Sequence, residues 1–144
     1  MAHYVTTIKT SFSPEEAFDY MADLRNYPDW DPGVSSAEMV GAGDVEKGST
    51  FDLVASGTKL RYVLVEFDRP NRVVAEANSS RLRSYDVIDI RPVEGGCTVT
   101  YDATVEFNGV YKVFNPVLAL MFDRIGSKAD EGMQREFPNA SKVS

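Results

Sequence analysis

Few residues in this sequence could move protons or orient a ligand, and two of them fall on apolar strand faces. In Cys97 to Phe107, Val99, Tyr101, Ala103, Val105 and Phe107 alternate with Thr98, Thr100, Asp102, Thr104 and Glu106. A period of two belongs to a half-buried strand, so the odd set faces the interior. In the stretch before it, Leu82, Ile88 and Ile90 share a face with Ser84 and Asp86. Asp86 and Tyr101 are therefore candidates for groups that orient a ligand in an apolar pocket. With a shifted pKa they would instead be an acid/base pair. Arg61 or Tyr62 would assist them, but both faces of Arg61 to Phe67 read as apolar, so the sequence leaves open which of the two points inward. The plainer reading is that a helix fills the space and Asp86 simply bonds an arginine.

Other chemistries find little support. His3 is the only histidine and sits near the chain start, where solvent exposure is expected. With one histidine and one cysteine, no zinc site or other metal site is expected. A Ser-His-Asp triad would have to use His3, and G-x-S-x-G is absent. Cys97 is expected to be a small core hydrophobe. Lys47-Gly48-Ser49-Thr50 lacks the order of a phosphate loop. Asp29-Trp30-Asp31-Pro32-Gly33 lacks the spacing and closing glutamate of a calcium loop. Trp30 could stack on a ligand at a cavity mouth, though its commoner use is a core plug. No cofactor is expected.

The elements that would position these groups follow from local signals. Residues 3 to 11 read as a strand. Ser13-Pro14-Glu15-Glu16 is a capping box with proline at the first helical position, followed by Ala17, Phe18, Met21 and Leu24 at helical spacing. Pro28 and Pro32 limit Leu24 to Trp30 to a short second helix. Strands are then expected over 34–40, 50–56, 59–68, 73–78, 82–91 and 97–107, separated by local turns, which predicts an antiparallel sheet. Phe51, Leu53 and Ala55 form the inward set of their strand. After Asn115-Pro116, the residues Val117, Met121, Ile125, Ala129, Met133 and Phe137 recur every fourth position and predict a long helix. Gly126 and Gly132 would let it approach the sheet closely. The tail, 138–144, is expected to fray.

The chain of 144 residues suits one domain spanning 1–144. Its net charge of -7 argues against nucleic acid and against an anionic membrane surface. The longest apolar run, Pro116 to Phe122, is too short to span a bilayer, so no stable membrane insertion is expected. A lone cysteine and an N-terminus without a signal-peptide pattern suggest the cytoplasm. Two sequons, at Asn78 and Asn139, therefore carry little weight.

Three stretches carry a resemblance. They are Ser13 to Phe18 through Tyr27-Pro28-Asp29-Trp30-Asp31-Pro32, then Val65 to Val73 with its Asp68-Arg69-Pro70-Asn71 turn, and Gly95-Gly96-Cys97-Thr98-Val99-Thr100-Tyr101. With the element order, they resemble the START-like (SRPBCC) superfamily of polyketide cyclases/dehydrases and lipid-transport proteins. The resemblance implies an α+β helix-grip fold: a curved seven-stranded antiparallel sheet around a long C-terminal helix, with two short helices after the first strand. It also implies a cavity between sheet and helix, and so favours a cavity over a filled core. Function is not implied, because that fold hosts several.

Three readings are open. The first is binding or carriage of an apolar small molecule, such as a lipid, polyketide or isoprenoid. Its lining would include Trp30, Phe51, Leu53, Tyr62, Asp86, Ile88, Tyr101, Ala103, Val117 and Met121. The second is a metal-free cyclase or dehydrase, with Asp86 and Tyr101 as catalytic candidates. The third is a protein-interaction module without a ligand. The helix start from Val117 to Phe122 is apolar all round, which a ligand on one side and loops or the second subunit of a homodimer on the other would explain.

Overall fold

The structure, a computed structural model, describes residues 2–55 and 57–143, with only the backbone course given for Phe114, Asn115 and 117–125. Strand β1 (Ala2–Thr10) leads into helix α1 (Pro14–Ala22). The predicted capping box forms: the Glu16 amide donates to the Ser13 hydroxyl at 3.2 Å, and the Ser13 amide donates to the Glu16 carboxylate at 3.1 Å. That satisfies two amides which a bare helix start leaves unpaired. Asp23 caps a single 3-10 turn, Leu24–Asn26, which runs into the four-residue helix α2 (Tyr27–Trp30).

A meander comes next: β2 (Val34–Val40), β3 (Thr50–Ala55), β4 (Thr58–Asp68), β5 (Arg72–Asn78), β6 (Leu82–Val93) and β7 (Gly96–Phe107). Each pairs antiparallel with the next, and β1 returns to pair with β7. Helix α3 (Asn115–Glu136) comes last and packs mainly on β1 and α2. The sheet has eight strands rather than the expected seven. The eighth, β8 (Ser141–Lys142), is two residues from the stretch expected to fray, paired to Ile8 and Lys9 on the free edge of β1. A two-residue strand has no room for a period-two pattern, and it forms here because the edge of β1 offers unpaired backbone groups.

Register turns the alternation into rows across the inner face. Ile90, Val99 and Ile8 align in one row. The next holds Phe67, Val73, Ile88, Tyr101 and Thr6. The third holds Leu64, Ala75, Asp86, Ala103 and Tyr4. The fourth holds Phe51, Tyr62, Ala77, Ser84, Val105 and Ala2.

The same register resolves the ambiguity in β4. Leu60, Tyr62 and Leu64 point inward and are buried. Arg61 points outward, where it grips Asp52 across the strands at 2.8 and 2.9 Å. Between Leu64 and Glu66 the register shifts. Such a bulge inserts one residue and reverses the facing of the residues beyond it. Phe67 therefore returns to the inner side, 5.1 Å edge-to-face from Phe18 of α1. Both faces looked apolar because the strand changes phase within the window.

Two glycines let α3 come close. A Cβ at Gly132 would collide with the backbone carbonyl of Trp30, and one at Gly126 with the ring of Tyr4. The Tyr4 ring can give way, whereas the α2 backbone cannot without moving the whole short helix. Helix propensity alone would make Gly132→Ala stabilising by about 1 kcal/mol. The collision reverses the sign, so thermal or urea unfolding is expected to show a net destabilisation of roughly 1–3 kcal/mol. A more stable variant would mean that α3 does not sit against α2.

Candidate functional site

The third row of the sheet is where the interior turns polar. Asp86 on β6 is only 3% exposed. Its neighbours in register are Ala75 on β5 and Ala103 on β7, so the sheet places nothing bulky beside the carboxyl. Larger groups arrive from two directions. Tyr101 stands one row away on β7, and Tyr27 comes from α2. Both hydroxyls donate to the same carboxylate oxygen, Oδ2, at 3.4 and 3.2 Å respectively. These are longer than the roughly 2.5–2.7 Å of a tight hydroxyl–carboxylate bond. In the fourth row the Tyr62 hydroxyl donates to Ser84 Oγ at 2.7 Å. Trp30 is wedged between Tyr27 and Tyr101, with ring centroids 4.7 and 5.0 Å away.

The electrostatics follow from that enclosure. Burial pushes the Asp86 carboxyl up to about 7, the nearby Asp31 carboxyl adds to the rise, and the Tyr27 and Tyr101 hydroxyls oppose it. Asp31, just past α2, is pushed up to about 6 by burial, partly countered by the Gly33 amide, which donates to Oδ1 at 2.9 Å. The Tyr27, Tyr62 and Tyr101 phenols are all driven upward by burial first and the Asp86 charge second, so they stay protonated as donors. Among the described residues no lysine or arginine acts on Asp86. The plainer reading, in which Asp86 simply bonds an arginine, finds no such partner among the described residues.

Of the residues singled out from sequence, the structure brings together Asp86, Tyr101, Tyr62, Trp30 and Ala103. Phe51 and Ile88 stand beside Tyr62 and Tyr101 in register, and Leu53 lies further off opposite Leu60. Arg61 is excluded by its outward turn. Val117, Met121 and the apolar helix start around Leu118 to Phe122 fall outside the described residues. His3 is exposed and its ring lies 2.7 Å from Asp102. Cys97 is buried, with its thiol 3.9 Å from the Ser13 carbonyl. Sequence reasoning missed Tyr27 and Asp31. Both lie in the Tyr27-Pro28-Asp29-Trp30-Asp31 segment, where a phenol three residues before the indole was the available signal.

Known proteins share this fold. The family described as polyketide cyclase / dehydrase and lipid transport matches residues 1–137. The chain belongs to that family. A START superfamily protein from Mycobacterium smegmatis has a similar structure, with TM-score 0.61 and 13% identity over 91% of this chain and 99% of that one. The di-domain ARO/CYC StfQ from the steffimycin biosynthetic pathway aligns with TM-score 0.68 and 14% identity, over 93% of this chain and 48% of StfQ. An HSP90 activator from Plasmodium falciparum aligns with TM-score 0.53 and 17% identity, over 72% of this chain and 73% of that one. At such identities the likeness establishes the fold alone. A search of curated proteins finds no match. No helix among the described residues is long and apolar enough to cross a membrane.

The pH consequence has a definite sign. Asp86 holds its proton more tightly in the folded chain than in the unfolded one, where 3.8 applies. Its contribution to stability is therefore complete below about pH 4 and is lost as pH rises through about 7. At about 1.4 kcal/mol per tenfold change, full loss is on the order of 4 kcal/mol. Asp86→Asn cannot ionise. Urea unfolding is expected to show its stability relative to wild type growing from pH 4 to pH 8. A difference that stays flat across that range would mean that Asp86 is not buried as described.

Proposed function

We propose that this protein binds an apolar small molecule bearing at least one oxygen function, of the lipid, polyketide or isoprenoid kind, between the inner face of the sheet and α3. In this reading the sheet curls around α3 in a helix grip. Phe51, Leu53 and Ile88 form apolar wall. Asp86, Tyr101, Tyr27 and Tyr62 supply the polar end.

One observation carries the reading: a carboxyl 3% exposed, flanked in register by two alanines and contacted only loosely by two phenols. A core built for stability alone would place an apolar residue there, since a buried carboxylate is costly when, as among the described residues here, no cation pairs with it. Perturbed carboxyls in such settings concentrate at functional sites. The family and the ARO/CYC protein of similar fold support the same reading.

A second reading, a cyclase or dehydrase, is favoured by the value of about 7 for Asp86. A carboxyl half-protonated near neutral pH can take a proton from carbon beside a ketone and return it to a departing hydroxyl. The tyrosine hydroxyls, held protonated, would polarise the ketone oxygen. Carriage needs only the anchor, whereas catalysis also needs Asp86 to exchange its proton with bound substrate.

Filling the space beside Asp86 tests the common core of both readings. Ala103→Leu is expected to keep the wild-type circular dichroism spectrum and to weaken binding of the neutral dye N-phenyl-1-naphthylamine by about tenfold or more. Unchanged affinity in a folded variant would place the ligand somewhere other than over the third row of the sheet.

A further inference from the structure

The buried polar groups around Asp86 are almost fully paired. Tyr27 and Tyr101 donate to Asp86, and Tyr62 donates to Ser84. One donor in the neighbourhood has nothing to bond: the indole Nε1 of Trp30, in a side chain with 0% exposure. An indole nitrogen only donates. It cannot turn toward water, because Tyr27 and Tyr101 hold the ring from two sides and α3 presses on the Trp30 backbone at Gly132. A buried donor left unpaired opposes folding, and native interiors rarely contain one. A tyrosine ring face would be only a weak acceptor for it. Tyr20 carries the other orphaned buried group, its hydroxyl, but it packs on Phe137 away from this cluster, and a hydroxyl can rotate where an indole cannot.

We infer that Trp30 is a specificity-determining residue whose indole N–H donates to an acceptor oxygen, a ketone or its like, on a neutral apolar ligand. The inference rests on the binding reading given above and adds the ligand's chemistry to it. Shape and apolar area would admit a hydrocarbon as readily as its ketone. The unpaired indole makes the difference, since only a ligand bringing an acceptor removes the unsatisfied donor. A ligand offering only donors, such as an ammonium group, gains nothing at the indole.

The chain has a single tryptophan, so one indole N–H signal in a 15N–1H correlation spectrum reports on this atom alone. The probes are 2-acetonaphthone, which has an acceptor oxygen and no polar hydrogen, and 2-ethylnaphthalene, which matches its shape without the oxygen. Both are titrated into the wild-type protein and into Trp30→Phe. The expected result is binding of both, with the ketone about tenfold tighter, roughly what one net hydrogen bond gives. The indole signal moves downfield with the ketone only, and the preference disappears in Trp30→Phe. Should Trp30→Phe fail to fold, the wild-type indole signal decides by itself. Equal binding of both probes with the indole unmoved overturns the inference and leaves the pocket standing. A ketone preference that survives in folded Trp30→Phe also overturns it and assigns the preference to Asp86. Binding of neither probe overturns the inference together with the binding reading beneath it.

Discussion

A carboxyl on the inner face of a sheet must be paired, protonated or hydrated, and which of these holds at Asp86 sets the character of the whole interior. Three aspartates are buried among the described residues, and two of them, Asp130 and Asp86, are treated differently. Asp130 of α3 accepts from Thr6 at 2.6 Å and from Gln134 at 3.2 Å, with the Lys142 ammonium 3.6 Å away. That arrangement ties helix, first strand and tail together and uses up the carboxylate's capacity. Asp86 has two loose phenols, a second carboxyl nearby and no cation among the described residues. The first pattern is how a fold secures an element. The second leaves a group able to gain or lose a proton near neutrality, which costs stability and is therefore informative about use.

Several parts of the architecture converge on keeping that group dry. Ala75 and Ala103 keep the sheet thin on either side of it. The α2 turn carries Tyr27 and Trp30 over it, and Gly132 lets α3 lie directly on that turn. Strand β8 pairs with Ile8 and Lys9 of β1 near the Thr6–Asp130 contact, so it covers part of that edge of the sheet. These devices are separate in sequence and converge only because β1 pairs with β7, which joins the start of the chain to the last strand of the meander.

Much of this was legible in the residues. Strict alternation in β6 and β7 placed Asp86, Tyr101 and Ala103 on one face without a structure. The capping box at Ser13 fixed the start of α1. The features that escaped notice did so for physical reasons. The facing of Arg61 and Tyr62 turned on a bulge, which changes the phase of a pattern and leaves no composition of its own. The eighth strand is too short to have a period. Tyr27 and Asp31 reach Asp86 across more than fifty positions of chain, through a turn whose placement over the sheet is a tertiary fact. The unpaired state of the Trp30 indole could not be read from sequence, since it concerns how every neighbouring group uses its hydrogen bonds.

Native mass spectrometry asks whether the interior holds a ligand at all. The intact protein would be measured as purified, with solvent extraction of anything carried along, and again after incubation with apolar ketones. The expected result is a one-to-one adduct, either a co-purified apolar compound bearing oxygen or an added ketone, which Ala103→Leu loses while remaining folded. A protein that flies bare in every case, with and without added ketones, would contradict a ligand site at Asp86. The buried carboxyl would then be a cost of the fold with no ligand to explain it.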